Sequence, residues 1–133
     1  MKGIAFAFFA VGALSVTIGM AWGIQMSASG DHALSAAHAH LNLVGWVTFA
    51  LFGVYYAMTP GAARSVLAKV HFGLALSGLV LIVPGIVMAV TGQGETLAKL
   101  GSVLTMLSML VFLVTVLRHG FGAERAAALQ PAE

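Results

Sequence analysis

The chain has 133 residues, of which 60% are hydrophobic and only 8% charged, and its mean hydropathy is +1.01. A soluble domain this short cannot hide so much apolar surface, because small domains leave much of their chain near water. A net charge of +2 with no basic run argues against nucleic acid, and the absence of cysteine excludes disulfides, thiolate metal sites and c-type haem attachment.

Four apolar stretches follow one another, at roughly 3–24, 36–59, 67–90 and 97–117. Each supplies the ~20 residues that a helix needs to cross a hydrocarbon core of about 30 Å. The first follows Lys2 and is followed by small residues at 27–29, the flanks of a signal peptide. Its apolar run is longer than a signal core, so it reads as a membrane span. The breaks, at 27–35, 59–64 and 91–96, are polar or glycine-rich and short. The expectation is one all-α integral membrane domain over 1–133, a four-helix transmembrane bundle or arc in a lipid bilayer.

Orientation follows from the basic residues. With the N-terminus inside, Lys2, Arg64, Lys69, Arg118 and Arg125 lie on the cytoplasmic side and only Lys99 lies outside. Five against one is a clear positive-inside bias. Both termini are therefore expected to be cytoplasmic, in a bacterial-type inner membrane. The second helix then starts at the outer, periplasmic face, and its first turns hold His38 and His40.

Ionisable side chains inside a membrane are costly and count as functional candidates. Residues two apart on an α-helix differ by ~200° around its axis, so His38 and His40 point to nearly opposite sides. They suit two separate sites, or one site built between neighbouring helices. Asn42 lies on the His38 face one turn deeper, within reach of a ligand or a backbone group. The plain alternative is a pair of structural histidines bonded to carbonyls of adjacent helices. Elsewhere, His71 opens the third helix and reads as structural, and His119 sits where a cation suits a helix C-terminus. Trp22, Trp46, Tyr55 and Tyr56 read as interface anchors. Pro84 is expected to kink the third helix, and Gly73 with Ser77 to admit a close neighbour.

The segment AHAHLNLVGWVTFALFGVYYAMTP, residues 37–60, resembles the tenth helix of the main subunit of haem-copper oxidases and nitric oxide reductases. That helix opens with Ala-His-x-His and reaches a proline about twenty residues later. AKVHF at 68–72 resembles the Lys-Ile-His-Phe opening of helix eleven, with Gly78 at the family spacing and Pro84 one residue early. Gly101 and Ser102 resemble the start of helix twelve. Asp31 stands seven residues before His38, where the oxidases carry an aspartate near the haem propionates, although His32 here follows the aspartate rather than preceding it.

The resemblance implies His38 and His40 as haem-iron ligands, haem b as the cofactor, and Asp31 near its propionates. Asn42, by its helix face, is a further candidate for contact with it. His32, beside Asp31, is open equally to propionate contact and to plain solvation, with metal binding a further alternative. It covers only the last four of twelve helices. The copper histidines lie on helices without a counterpart, and no His-His pair occurs, so copper is the less favoured metal. The leading expectation is a bis-histidine haem serving electron transfer with an unknown donor. The alternatives are a haem enzyme or sensor reacting with nitric oxide or oxygen, and a non-haem assembly or structural protein of a respiratory complex. Whether the chain is an enzyme is left open. The oxidase subunit arranges its helices in three arcs of four about a pseudo-threefold axis, so one such chain implies a homotrimer with haems at its boundaries.

Overall fold

The computed structural model describes residues 1–122, and among them four helices are long and apolar enough to cross a membrane. They are Gly3–Ser29, Ser35–Met58, Val66–Val90 and Thr96–His119, here called the first to fourth spans. The described residues are all-helical, as an integral membrane protein with four spans, and the expected stretches match these spans to within a few residues. Arg125, one of the five basic residues counted for orientation, lies outside the described residues.

Local chemistry sets the boundaries. The first span continues past its apolar run to Ser29 and stops where Gly30 turns left-handed at φ 69°, a conformation that glycine adopts without a Cβ penalty. The second ends at Met58. Thr59 leaves the helical region at φ −126° and ψ 77°, as the ring of a following proline requires. Pro60 then opens a five-residue helix, Pro60–Arg64, whose first turn tolerates a residue without an N–H. The Ser65 side chain accepts from the Ala68 amide and starts the third span. That span runs unbroken through Pro84. At the fourth, Lys99 pairs with Glu95 at 2.9 Å and holds that exposed carboxyl below its usual range.

Within the second span, Leu41–Thr48 is π-helical. Its inward residues are Ala37, Leu41, Gly45 and Phe49, each four apart. A uniform α-helix would carry that row off the buried face, and the wider turn keeps it there. The Thr48 hydroxyl donates to the Leu43 carbonyl five residues back.

Lipid offers no hydrophobic drive between helices, so small residues that admit close backbone contact do much of the joining. The first and second spans pack along their lengths, as do the third and fourth. A Cβ on Gly53 would stand 3.0 Å from the Ala5 carbonyl oxygen and from the Phe9 nitrogen. One on Gly101 would stand 2.7 Å from the Ile82 Cα, and one on Gly85 would collide with the Ala98 backbone. Gly73 and Ser77 do not take this role within the chain. Both are exposed, and nothing lies within 4 Å of a Cβ built on Gly73, because the face at Gly78, Ile82 and Gly85 meets the fourth span.

Candidate functional site

His38 and His40 lie in the α-helical first turns of the second span, before the π-helical stretch. His38 turns toward the first span. Its Nε2 lies 3.0 Å from the Gly19 carbonyl oxygen. A carbonyl only accepts, so Nε2 carries the proton and the lone pair is on Nδ1. Gly23 makes room for the ring, at 3.3 Å from a Cβ position to Nε2, and Trp22 meets it edge-on with centroids 6.0 Å apart. Asn42, one turn deeper, donates from Nδ2 to the His38 carbonyl at 2.9 Å. Its side chain sits over Gly19, where a Cβ would collide with Oδ1.

His40 is placed differently. Its Nδ1 lies 2.8 Å from the Ala36 carbonyl oxygen, which puts the proton on Nδ1 and the lone pair on Nε2. Among the described residues Nε2 has no hydrogen-bond partner. The ring is half-buried and shares a side of the helix with exposed Ala36, Leu43 and Val47, away from the contact with the first span. The two imidazoles therefore differ in tautomer as well as direction: His38 commits Nε2 inside the chain, and His40 leaves Nε2 open at its surface.

Asp31 and His32 occupy the exposed connection at this same end of the bundle. The Asp31 carboxylate accepts from the Ala33 amide at 2.9 Å, and His32 Nδ1 lies 3.1 Å from the Gly30 carbonyl oxygen. Both side chains thus shape the turn that delivers the second span. His119 lies in the last turn of the fourth span, at the other end.

Among the described residues three polar side chains are at 0% exposure, Thr59, Thr115 and His71, and of these only His71 is ionisable. Its Nδ1 is 3.0 Å from the Tyr56 hydroxyl, and its Nε2 has no hydrogen-bond partner among the described residues. Phe8, Phe52 and Phe112 surround it, with ring centroids at 4.9, 4.3 and 5.3 Å. Sequence reading placed Tyr55 and Tyr56 at the interface, whereas they are 4% and 1% exposed. Tyr55 instead donates to the Gly120 carbonyl at 2.9 Å and ties down the end of the fourth span. The His71 cluster is remote from the His38 layer: Phe8 and Gly19 are eleven residues apart on one helix, about 16 Å along its axis.

The chemistry of each ring tests its fit to a haem iron. A ligating histidine normally gives its second N–H to a carbonyl or carboxylate, which fixes the tautomer and aims the lone pair. His40 has that arrangement. His38 has the reverse one, and would have to release Gly19 before Nε2 could bind iron. Among the described residues no three His, Cys, Asp or Glu side chains gather as a metal site would require, a pattern that says nothing against one- or two-histidine haem ligation. Against family models, curated proteins and solved structures, the chain finds no match.

Proposed function

We propose that the chain is a b-type haem-binding membrane protein with His40 as an axial ligand and that it serves electron transfer. One observation carries the reading: His40 donates its Nδ1 proton to the Ala36 carbonyl, leaving an unpaired Nε2 on a membrane-facing stripe. An imidazole in that state at the edge of a bilayer calls for a partner, and the likeness of residues 37–60 to a haem-ligating helix supports iron in that place. Bound haem supplies a one-electron iron couple. The chain supplies the imidazole, the apolar surroundings that tune the couple, and a nearby carboxylate in Asp31.

The open Nε2 of His40 lies on a side of the helix shared with exposed Ala36, Leu43 and Val47, and in this reading the haem sits at a boundary between copies. The second axial ligand is then a histidine of a neighbouring chain, His38 in a trimer. In the same reading both termini are cytoplasmic and the His40 layer lies toward the periplasm, as the distribution of Lys and Arg supports.

Purified protein, examined by absorption as reduced minus oxidised and then under carbon monoxide, tests the function. A six-coordinate low-spin spectrum insensitive to carbon monoxide is expected. A carbon monoxide adduct would point to the gas-reactive class, and a colourless protein after haem supplementation would remove the proposal.

A further inference from the structure

Charge is unevenly divided between the two ends of the bundle. The end opposite His40 holds Lys2, Arg64, Lys69 and Arg118, with no carboxylate among the described residues. The other end holds Asp31 and Glu95, and its single lysine, Lys99, is already paired with Glu95. Lys2 and Arg64 have no anionic partner among the described residues. Both nonetheless line one cavity of about 280 Å³.

The backbone builds that cavity. The chain leaves helical geometry at Thr59 and again at Ser65, where ψ is 156°. The short helix Pro60–Arg64 between these points contacts both the first and the fourth spans. Arg64, in its last turn, thereby comes to the same cavity as Lys2 at the head of the first span. The remaining lining is Met1, Ala5, Ala57, Pro60, Ala63 and the ring of Tyr56. The Tyr56 hydroxyl is already engaged by His71, so cations dominate the polar chemistry: the Lys2 and Arg64 side chains, with Met1 beside them.

Two unpaired cations above apolar walls, at the end of a membrane bundle, call for a ligand with an anionic head and a hydrocarbon body. We propose that Lys2 and Arg64 bind the phosphate of an anionic glycerophospholipid, whose glycerol and upper acyl segments lie against Ala5, Pro60 and Ala63. Guanidinium suits this role because its planar fork pairs with two phosphate oxygens at once. Basic pockets on the cytoplasmic side of membrane proteins take such head groups.

Native mass spectrometry of the full chain, with phosphatidylglycerol or phosphatidylcholine of identical acyl chains, tests the site. Phosphatidylglycerol should be retained at least fivefold more strongly. Arg64→Gln should lower its retention about fivefold, and Lys2→Gln with Arg64→Gln further, in line with the contribution of each cation near an anionic surface. Lys69→Gln, at the same end but outside the cavity, should change retention less than twofold. Equal retention of the two lipids overturns the proposal without any variant. So does an equal loss in Lys69→Gln, which would mean diffuse surface charge, or displacement of the lipid by millimolar inorganic phosphate, which would make free phosphate the occupant.

Discussion

Tyr56 and His71 meet at 3.0 Å, hydroxyl to Nδ1, inside a shell of phenylalanines that leaves the other ring nitrogen without a partner among the described residues. Whichever atom holds the shared proton, one polar atom of His71 stays unpaired in an apolar surrounding. A buried group left that way costs about 1–3 kcal/mol, whereas replacing both partners by apolar groups is close to neutral. Tyr56→Phe should therefore lower stability by about that amount, because it strips His71 of its one side-chain hydrogen bond among the described residues. Tyr56→Phe combined with His71→Leu should lose much less than the sum of the two single changes. Thermal unfolding of the four proteins in one detergent measures the coupling. Additive losses would mean that the bond contributes nothing.

The glycines separate helix contact from helix propensity. Gly101→Ala and Gly85→Ala would press a methyl group into backbone of the facing span. Overpacking of this kind costs about 1–3 kcal/mol, and backbone leaves little room to yield. Gly73→Ala meets only open space and should be neutral or gain up to about 1 kcal/mol from helix propensity. All three remove a glycine from a helix interior, so a uniform effect across them would refute the packing explanation. The measurement is again the unfolding temperature in detergent.

Most of the architecture was legible because a membrane imposes long apolar runs, and short breaks with Gly or Pro end them. The position of His38 and His40 at one end followed from the same runs. Side-chain direction was harder to read. An i, i+2 spacing sends the two rings apart, but only the structure gives His38 to Gly19 and His40 to Ala36. Tyr55 and Tyr56 resembled interface anchors because two tyrosines near a span end usually are. Here the π-helical stretch before them and the partners His71 and Gly120 take them inside. Residues 41–48 carry no proline or other plain mark of a π-helix, though the four-residue spacing of Ala37, Leu41, Gly45 and Phe49 was visible. Gly73 and Ser77 met the small-residue pattern on the wrong face, since nothing in the pattern says which side the fourth span will occupy.

The two histidines should respond differently to substitution. His40→Ala removes the imidazole whose Nε2 is already free, and should abolish most haem binding. His38→Ala additionally frees the Gly19 carbonyl and empties the space above Gly23, so it should lower both haem content and stability. His71→Leu should retain haem, being about 16 Å away. Haem quantitation by pyridine haemochrome, beside unfolding of the haem-free proteins, separates the two kinds of loss. If His40→Ala kept wild-type haem content, its assignment as a ligand would be wrong.

Asp31 offers a test of location. Its carboxylate accepts from the Ala33 amide, a bond that asparagine can also accept. Asp31→Asn thus removes a charge while keeping the turn. A negative charge near haem favours ferric over ferrous iron, so the variant should have a higher reduction potential. Asp31→Ala should shift it too, with added loss of the turn. A potential unchanged in Asp31→Asn, by spectroelectrochemical titration, would place the haem away from this loop.

The last prediction is a homotrimer with one haem at each boundary. A chain like one four-helix arc rebuilds a threefold outline with three copies, and a closed ring satisfies every copy of a head-to-tail interface. The two rings leave the second span in opposite directions, but only His40 opens to the surface; His38 turns to the first span and must swing out to serve the second boundary. At each boundary His40 of one chain would share iron with His38 of the next. His38 must then exchange the Gly19 carbonyl for iron and leave its place against Gly23 and Trp22. Native mass spectrometry should find three chains and three haems. Two chains with one haem would instead indicate a pair of His40 residues about a twofold axis, and a haem-bearing monomer would remove the boundary altogether. Mixed expression distinguishes these cases further. Chains with His38→Ala and chains with His40→Ala should each lack haem alone, yet regain part of it together, because a mixed boundary can draw His40 from the first and His38 from the second. In a twofold arrangement, His38→Ala alone would keep its haem. In a monomer, mixing would restore nothing.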